Sequence, residues 1–208
     1  MKHSLPKAKR TSARTKALVT GGLVALTAAG VGGAAFAAFT GTTNAAQSVA
    51  SGTVSLAGIG TNAAGNRLTV GASNIAAGDT IQRAVTLTNN GTIDLANVTL
   101  TTNATTSSLL NTDTVTGLQM TIDKCSGAWT ESAIPYTYTC GGTTSSVLAS
   151  TPVIGANLAL ANLTLTAAAA NNLRVTLTLP SAAGNTLQAQ TSVINYTFTG
   201  TQRAATNQ

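Results

Sequence analysis

The chain has 208 residues, of which 43% are hydrophobic but only 8% charged and 3% aromatic, and its formal net charge is +6. Six of its eleven basic residues are Lys2, Lys7, Lys9, Arg10, Arg14 and Lys16; beyond them Arg67, Arg83, Lys124, Arg174 and Arg203 balance Asp79, Asp94, Asp113, Asp123 and Glu131. The basic character therefore belongs to the leader, no phosphate-binding footprint remains for nucleic acid, and the composition is unlike that of a cytosolic enzyme.

Residues 1–37 read as a secretory signal peptide. A basic head precedes the apolar run 17–38, and Ala35 and Ala37 flank Phe36 as a small-residue cleavage site, so cleavage is expected at Ala37–Ala38. The alternative is an uncleaved anchor, because the run is about as long as a spanning helix. Its glycines and its small-residue site favour cleavage, which leaves no stable membrane span. The absence of an Arg-Arg pair points away from the twin-arginine route. Residues 38–51, AFTGTTNAAQSVAS, have little to bury and are expected to be mobile.

A β-sandwich is expected over residues 52–202, with 203–208 as a disordered tail. The first strand starts in TVSLAG with Val54 and Leu56 on one face; the second covers 66–70 with Leu68 and Val70 inward. After a Gly78-Asp79 turn, residues 81–89 alternate Ile81, Arg83, Val85 and Leu87 against Gln82, Ala84, Thr86 and Thr88. Asn89-Asn90-Gly91 predicts a hairpin, since Asn-Gly tolerates the positive φ of primed turns, with residues 95–102 as the partner strand. A Ser/Thr/Asn loop follows over 103–116. Leu118, Met120 and Ile122 alternate into Cys125, a loop carries Trp129, and residues 136–140 return as a short strand ending in Cys140. Residues 145–154 read as irregular or edge-like, and the phase shift near Ala161 suggests a bulge or break within 158–167. The run Ala167 to Ala170 reads as a turn. The clearest alternation is in the last stretch. Leu173, Val175, Leu177 and Leu179 share a face, Pro180 ends that strand, and Ile194, Tyr196 and Phe198 repeat the pattern. The connection over 181–191 is long enough to cross an edge or pass to a second sheet. About eight to ten short strands with frequent turn signals make an all-β, antiparallel sandwich of jelly-roll or Ig-like type, behind an N-terminal signal helix.

In an exported chain Cys125 and Cys140 are expected to form a disulfide rather than remain free thiols, and would tie neighbouring strands at the base of a hairpin. The chemistry is otherwise defined by what is missing. His3 is the single histidine and departs with the leader, which removes Ser-His and Cys-His pairs and histidine-ligated zinc. The carboxylates are scattered without a calcium-loop spacing. Asp123 and Glu131 could meet near the cysteines as an acid pair, against the blander reading of two solvated turn residues. A Ser-Lys pair would have to use Lys124. No catalytic, cofactor-binding or metal-binding residue is assigned, and no cofactor is expected. Trp129, Tyr136 and Tyr138 read as packing on the disulfide, with an exposed sugar-stacking face as the alternative.

Taken in order, the leader ending AAFAAF, SVASGTVSL at 48–56, IAAGDTIQRAVTLTNNGTIDLANVTL at 75–100 and LTLPSAAGNTLQAQTSVINYTFTGTQ at 177–202 resemble the TasA/camelysin (CalY-like) family of secreted Gram-positive surface and biofilm-matrix proteins. Ala77 stands where that pattern has a proline. The resemblance implies a jelly-roll-like sandwich, export through a specialised signal peptidase, and self-assembly into matrix fibres in which an N-terminal strand of one subunit completes the sheet of the next. In this chain that strand would lie in residues 39–56. The partners implied are copies of itself or related matrix proteins, with cell-wall or matrix polysaccharide as a further candidate. Other members are described as metallo-endopeptidases, but without a histidine beyond His3 and without H-E-x-x-H no zinc site carries over. The scarcity of charge on the polar faces agrees with self-association, because edge charges normally prevent it. The competing readings are a monomeric adhesion or carbohydrate-binding module and a camelysin-type peptidase.

Overall fold

The computed structural model describes residues 56–57, 62–69 and 71–206; the leader, the Ala37–Ala38 cleavage site, residues 38–55 and Val70 lie outside these. The elements are β1 (Leu56–Ala57), β2 (Thr80–Asn89), β3 (Leu95–Thr106), the one-turn helix α1 (Leu109–Thr112), β4 (Gln119–Cys125), β5 (Trp129–Glu131), β6 (Tyr138–Cys140), β7 (Thr144–Pro152), β8 (Gly155–Ala159), β9 (Ala170–Thr178), a 3-10 turn at Asn185–Leu187, and β10 (Val193–Gln202). They form an antiparallel β-sandwich. One sheet has the order β1-β2-β9-β4-β7, the facing sheet β10-β3-β8, and β5-β6 is a separate two-stranded ribbon.

Alternation builds the core. Val85 and Leu87 from β2, Met120 and Ile122 from β4, and Leu173 and Val175 from β9 project from the five-stranded sheet onto Val98 and Leu100 of β3 and onto Tyr196 and Phe198 of β10. Leu100, Met120, Ile122 and Leu173 are fully buried, each contributing roughly 1.5–3 kcal/mol relative to exposure. A second cluster of Leu110, Leu118, Val153, Leu179 and Leu187 closes one end beneath α1 and the 3-10 turn.

Asn89-Asn90-Gly91 does not form the predicted hairpin. β2 and β3 lie in different sheets, and residues 90–94 carry the chain across. Among the described residues Gly65 and Gly78 are the glycines at positive φ, and Asn90 is not among the non-glycine residues there, so no primed turn is present. The crossover is held by the buried Asn89 side chain. Its amide donates to the carbonyl of Ile93 at 3.0 Å, and its Oδ1 accepts from the Gly91 amide at 2.9 Å. Residues 66–69 are turn and coil rather than a strand, though Leu68 is buried in the core as expected. β3 runs on to Thr106 and α1 follows, where an unstructured loop was expected; Ser108 caps α1 in a reciprocal box with Asn111.

Other expectations hold. Gly78, at φ 95°, makes the Gly-Asp turn, which docks on the end of β9 through its amide and the Leu179 carbonyl at 2.8 Å. β7 is the edge of its sheet, residues 167–168 form a turn with Ala168 at φ 61°, and β9 and β10 stand in opposite sheets.

Candidate functional site

Among the described residues, the sandwich is closed along one side and open along the other. Where β7 and β8 meet, the Ala161 amide reaches the Val147 carbonyl and the Leu160 amide reaches the Val98 carbonyl, which sews the two sheets together. Opposite, the outermost strands are β1-β2 and β10. β1 covers β2 only at Thr88 and Asn89, and a Cβ added at Gly200 would lie 3.3 Å from Leu56, so β1 fills the seam at that end. At the other end the seam opens into a cavity of about 640 Å³, whose walls include Ile81, Val175, Leu177, Ile194 and Tyr196. Along β10 no strand pairs with the outer edge among the described residues.

The outer edge of β2 is guarded differently. The Arg67 amide bonds the Ala84 carbonyl at 2.9 Å. The guanidinium of Arg83, only 8% exposed, donates to the carbonyls of Gln82 and Gly71 at 2.7 Å each. Arg83 occupies an inward position of the β2 alternation, and its burial lowers its pKa. On the facing strand, burial raises the Tyr196 hydroxyl to about 12.

A second built region covers the outer face of the five-stranded sheet. Cys125 at the end of β4 is bridged to Cys140 of β6. The disulfide therefore anchors the β5-β6 ribbon to the sheet; it does not tie paired strands at a hairpin base, because β6 pairs with β5 and β4 pairs with β7 and β9. Trp129 and Tyr138 pack against Ala84 and Cys125. The Trp129 indole donates to the Asn172 carbonyl at 3.0 Å, and the Arg174 guanidinium stacks 4.6 Å from its ring. With Trp129 8% and Tyr138 5% exposed, these rings pack on the bridge and offer no stacking platform.

Asp123 and Glu131 do not form an acid pair. Asp123 pairs with Arg174 at 2.7 Å, whereas Glu131 pairs with Arg67 at 2.7 Å and accepts from the Tyr138 hydroxyl. The Arg67 hydrogen bond lowers the pKa of Glu131, while burial and that same glutamate raise Tyr138 to about 12. Lys124 donates to the Asn162 carbonyl and to the Thr164 hydroxyl rather than to a serine. Sequence reading missed the roles of Arg67 and Arg83. The one available signal was a charged side chain in an inward position of an otherwise apolar alternation.

The remaining carboxylates serve turns. Asp79 accepts from the Ala76 amide, Asp94 from the Ala167 amide, and Asp113 from the amides of Val115 and Thr116. The Thr116 hydroxyl and these amides bring Asp113 down to about 2. Among the described residues no three His, Cys, Asp or Glu side chains come together as a metal site.

A family model described as camelysin metallo-endopeptidase matches residues 15–207. None of the curated proteins compared with it matches the chain. The metal which that description implies finds no fitting donor set among the described residues, because each carboxylate is already held by an arginine or by turn amides.

Proposed function

The chain belongs to the camelysin metallo-endopeptidase family, a family of secreted and cell-surface proteins, and within it we propose a structural role: a self-associating protein of the cell surface or extracellular matrix that forms fibres by strand donation. The observation that carries this reading is the seam between β2 and β10, filled by β1 at one end and, among the described residues, opening at the other into a cavity lined by both apolar and polar side chains. An unpaired edge beside a cleft is what an added strand completes, its backbone pairing along the edge and its alternate small side chains entering the cleft. Of the expected donor stretch 39–56, Leu56 pairs with the chain's own β2, which leaves the segment 39–51 as the donor; it would span about 44 Å if extended. It precedes β1 in sequence. In the proposed fibre a neighbour's cavity receives it, a head-to-tail contact that propagates as a filament where its rotation does not close a ring.

The same reading assigns the chain no catalytic role. Its support is the residue inventory: His3 is the single histidine, and the carboxylates are engaged as described. Deletion of residues 39–50 from the mature protein is expected to abolish filaments seen by electron microscopy while leaving a folded monomer. Filaments of unchanged number would sink the proposal. Zinc binding with chelator-sensitive proteolysis by the mature protein would restore the peptidase reading.

A further inference from the structure

The three-stranded sheet differs chemically from the rest of the molecule. β3 reads LANVTLTTNATT, β8 GANLA and β10 VINYTFTGTQ, with no Asp, Glu, Lys or Arg in any of them. The five-stranded sheet, its ribbon and its flanking loops hold Arg67, Arg83, Asp123, Lys124, Glu131 and Arg174, while Asp94 and Arg203 meet at one end of the neutral sheet, where the Arg203 amide bonds the Asp94 carbonyl. The outward positions of β3 and β10 face each other as cross-strand pairs: Asn103 with Asn195, Thr101 with Thr197, Thr99 with Thr199, and Asn97 with Thr201. Every member is threonine or asparagine. The Thr201 hydroxyl bonds Asn97, and the Thr101 hydroxyl accepts from the Asn157 amide of β8. On β10, Asn195, Thr197, Thr199 and Thr201 are all exposed.

We propose that this Thr/Asn face is a lateral contact, on which a second copy of the chain stacks through the same face. Three properties favour a second copy over any other occupant. Hydroxyl and carboxamide groups each donate and accept, so the face is complementary to itself. It carries no charge to repel its own copy, and the charges of the chain beyond residue 16 cancel. Aligned Asn and Thr rows on paired sheets are also the arrangement that interdigitates in stacked assemblies.

The area sets the strength. Four rows about 6.8 Å apart, across strands about 4.8 Å apart, give roughly 300 Å² per copy. The pair would bury roughly 600 Å², below the ~1,000 Å² of a stable interface. A lone pair of molecules therefore separates, whereas copies held in an array bind many times at once. The inference rests on the fibre reading for its biological setting, where it joins filament to filament. Its chemistry does not require strand donation.

The test separates the two. Mature protein is coupled to beads through its C-terminus, and bead clustering is followed by light scattering. Wild-type beads are expected to cluster with little dependence on salt. Beads carrying Thr197→Lys with Thr199→Lys should cluster at least about tenfold less at 10 mM salt, where the Debye length is ~30 Å, and regain part of the effect at 1 M, where it is ~3 Å. Beads carrying Thr197→Glu with Thr199→Glu should fail alone yet cluster with the lysine beads, a rescue that misfolded protein could not give. Ala149→Lys with Ser150→Lys on the β7 edge adds the same charge elsewhere and should leave clustering intact. The proposal is overturned if wild-type beads stay dispersed, if the lysine pair clusters like wild type, if the β7 pair abolishes clustering equally, or if clustering requires added neutral polysaccharide. Wild-type clustering without filaments in solution would refute strand donation and leave this face standing.

Discussion

Asn89 offers the sharpest test of how the two sheets are joined. Its side chain is 2% exposed and spans the crossover, donating to Ile93 O at 3.0 Å and accepting from Gly91 N at 2.9 Å, with longer contacts to the carbonyls of Leu165 and Thr166 at 3.4 and 3.3 Å. Asn89→Ala removes two well-formed hydrogen bonds worth about 1 kcal/mol each. It also strands the Gly91 amide, a buried orphan donor costing ~1–3 kcal/mol. The expected loss is about 3 kcal/mol, a large fraction of the 5–15 kcal/mol typical of a domain. Asn90 is exposed and outside the positive-φ region, so Asn90→Ala should stay within about 0.5 kcal/mol. A primed hairpin turn would reverse that order, because Asn90 would then occupy a left-handed position. Urea denaturation of both variants with the disulfide intact reads the difference as a midpoint shift at constant slope. A small loss for Asn89→Ala beside a loss above 1 kcal/mol for Asn90→Ala would refute the crossover.

Three further outcomes are expected. Reducing the Cys125–Cys140 bridge, which spans a separation of 15 residues, should cost about 3 kcal/mol in the urea midpoint and red-shift Trp129 emission as the ribbon loosens; unchanged emission would mean that side-chain packing alone holds the ribbon. Glu131 is held below its ordinary 4.5 by Arg67, so its pairing stabilises the fold above that pH and is lost as pH falls through the depressed value; the midpoint gap between wild type and Glu131→Gln should shrink from pH 6 to pH 3, and a constant gap would refute the pairing. Arg83→Met removes the charge guarding the β2 edge and should shorten the lag of filament assembly, while a lengthened lag would show that the guanidinium helps to shape the acceptor seam.

What the sequence disclosed depended on whether local pattern or distant partner decides the outcome. Strand positions with strict alternation, such as Leu173, Val175 and Leu177 or Ile194, Tyr196 and Phe198, were legible because burial of one face is written into every second residue. The disulfide was legible from the cysteine count and the export expected from the leader's sequence. Pairing was not. Asn89-Asn90-Gly91 has hairpin chemistry, yet Asn89 satisfies carbonyls contributed by residues 165 and 166, which no local window contains. Residues 66–69 alternate like a strand, but they sit at the guarded edge of β2, where a single backbone bond from Arg67 replaces a ladder. The seam was invisible for the same reason: it is defined by which edges lack partners.

The placement of charge ties the fold to the proposed role. A soluble sandwich ordinarily protects its edges with lysine, proline or an inward charge. Among the described residues such devices are present at Arg83 of the β2 edge and at Pro152 of the β7 edge, while β10 presents ten residues without a charge or a proline. Were the chain a monomer, β10 would be the edge that most needed a guard, and with 8% charged residues overall the few available arginines could have been placed there. Apart from Arg203 just past the end of β10, they lie with the opposite sheet, where Arg174 and Arg67 fasten the disulfide-anchored ribbon through Asp123, Trp129 and Glu131. One sheet is thus locked within the subunit, and the other is left chemically neutral toward its own copies. That division supports the proposed role, in which a subunit holds its shape while offering an edge and a face to its neighbours.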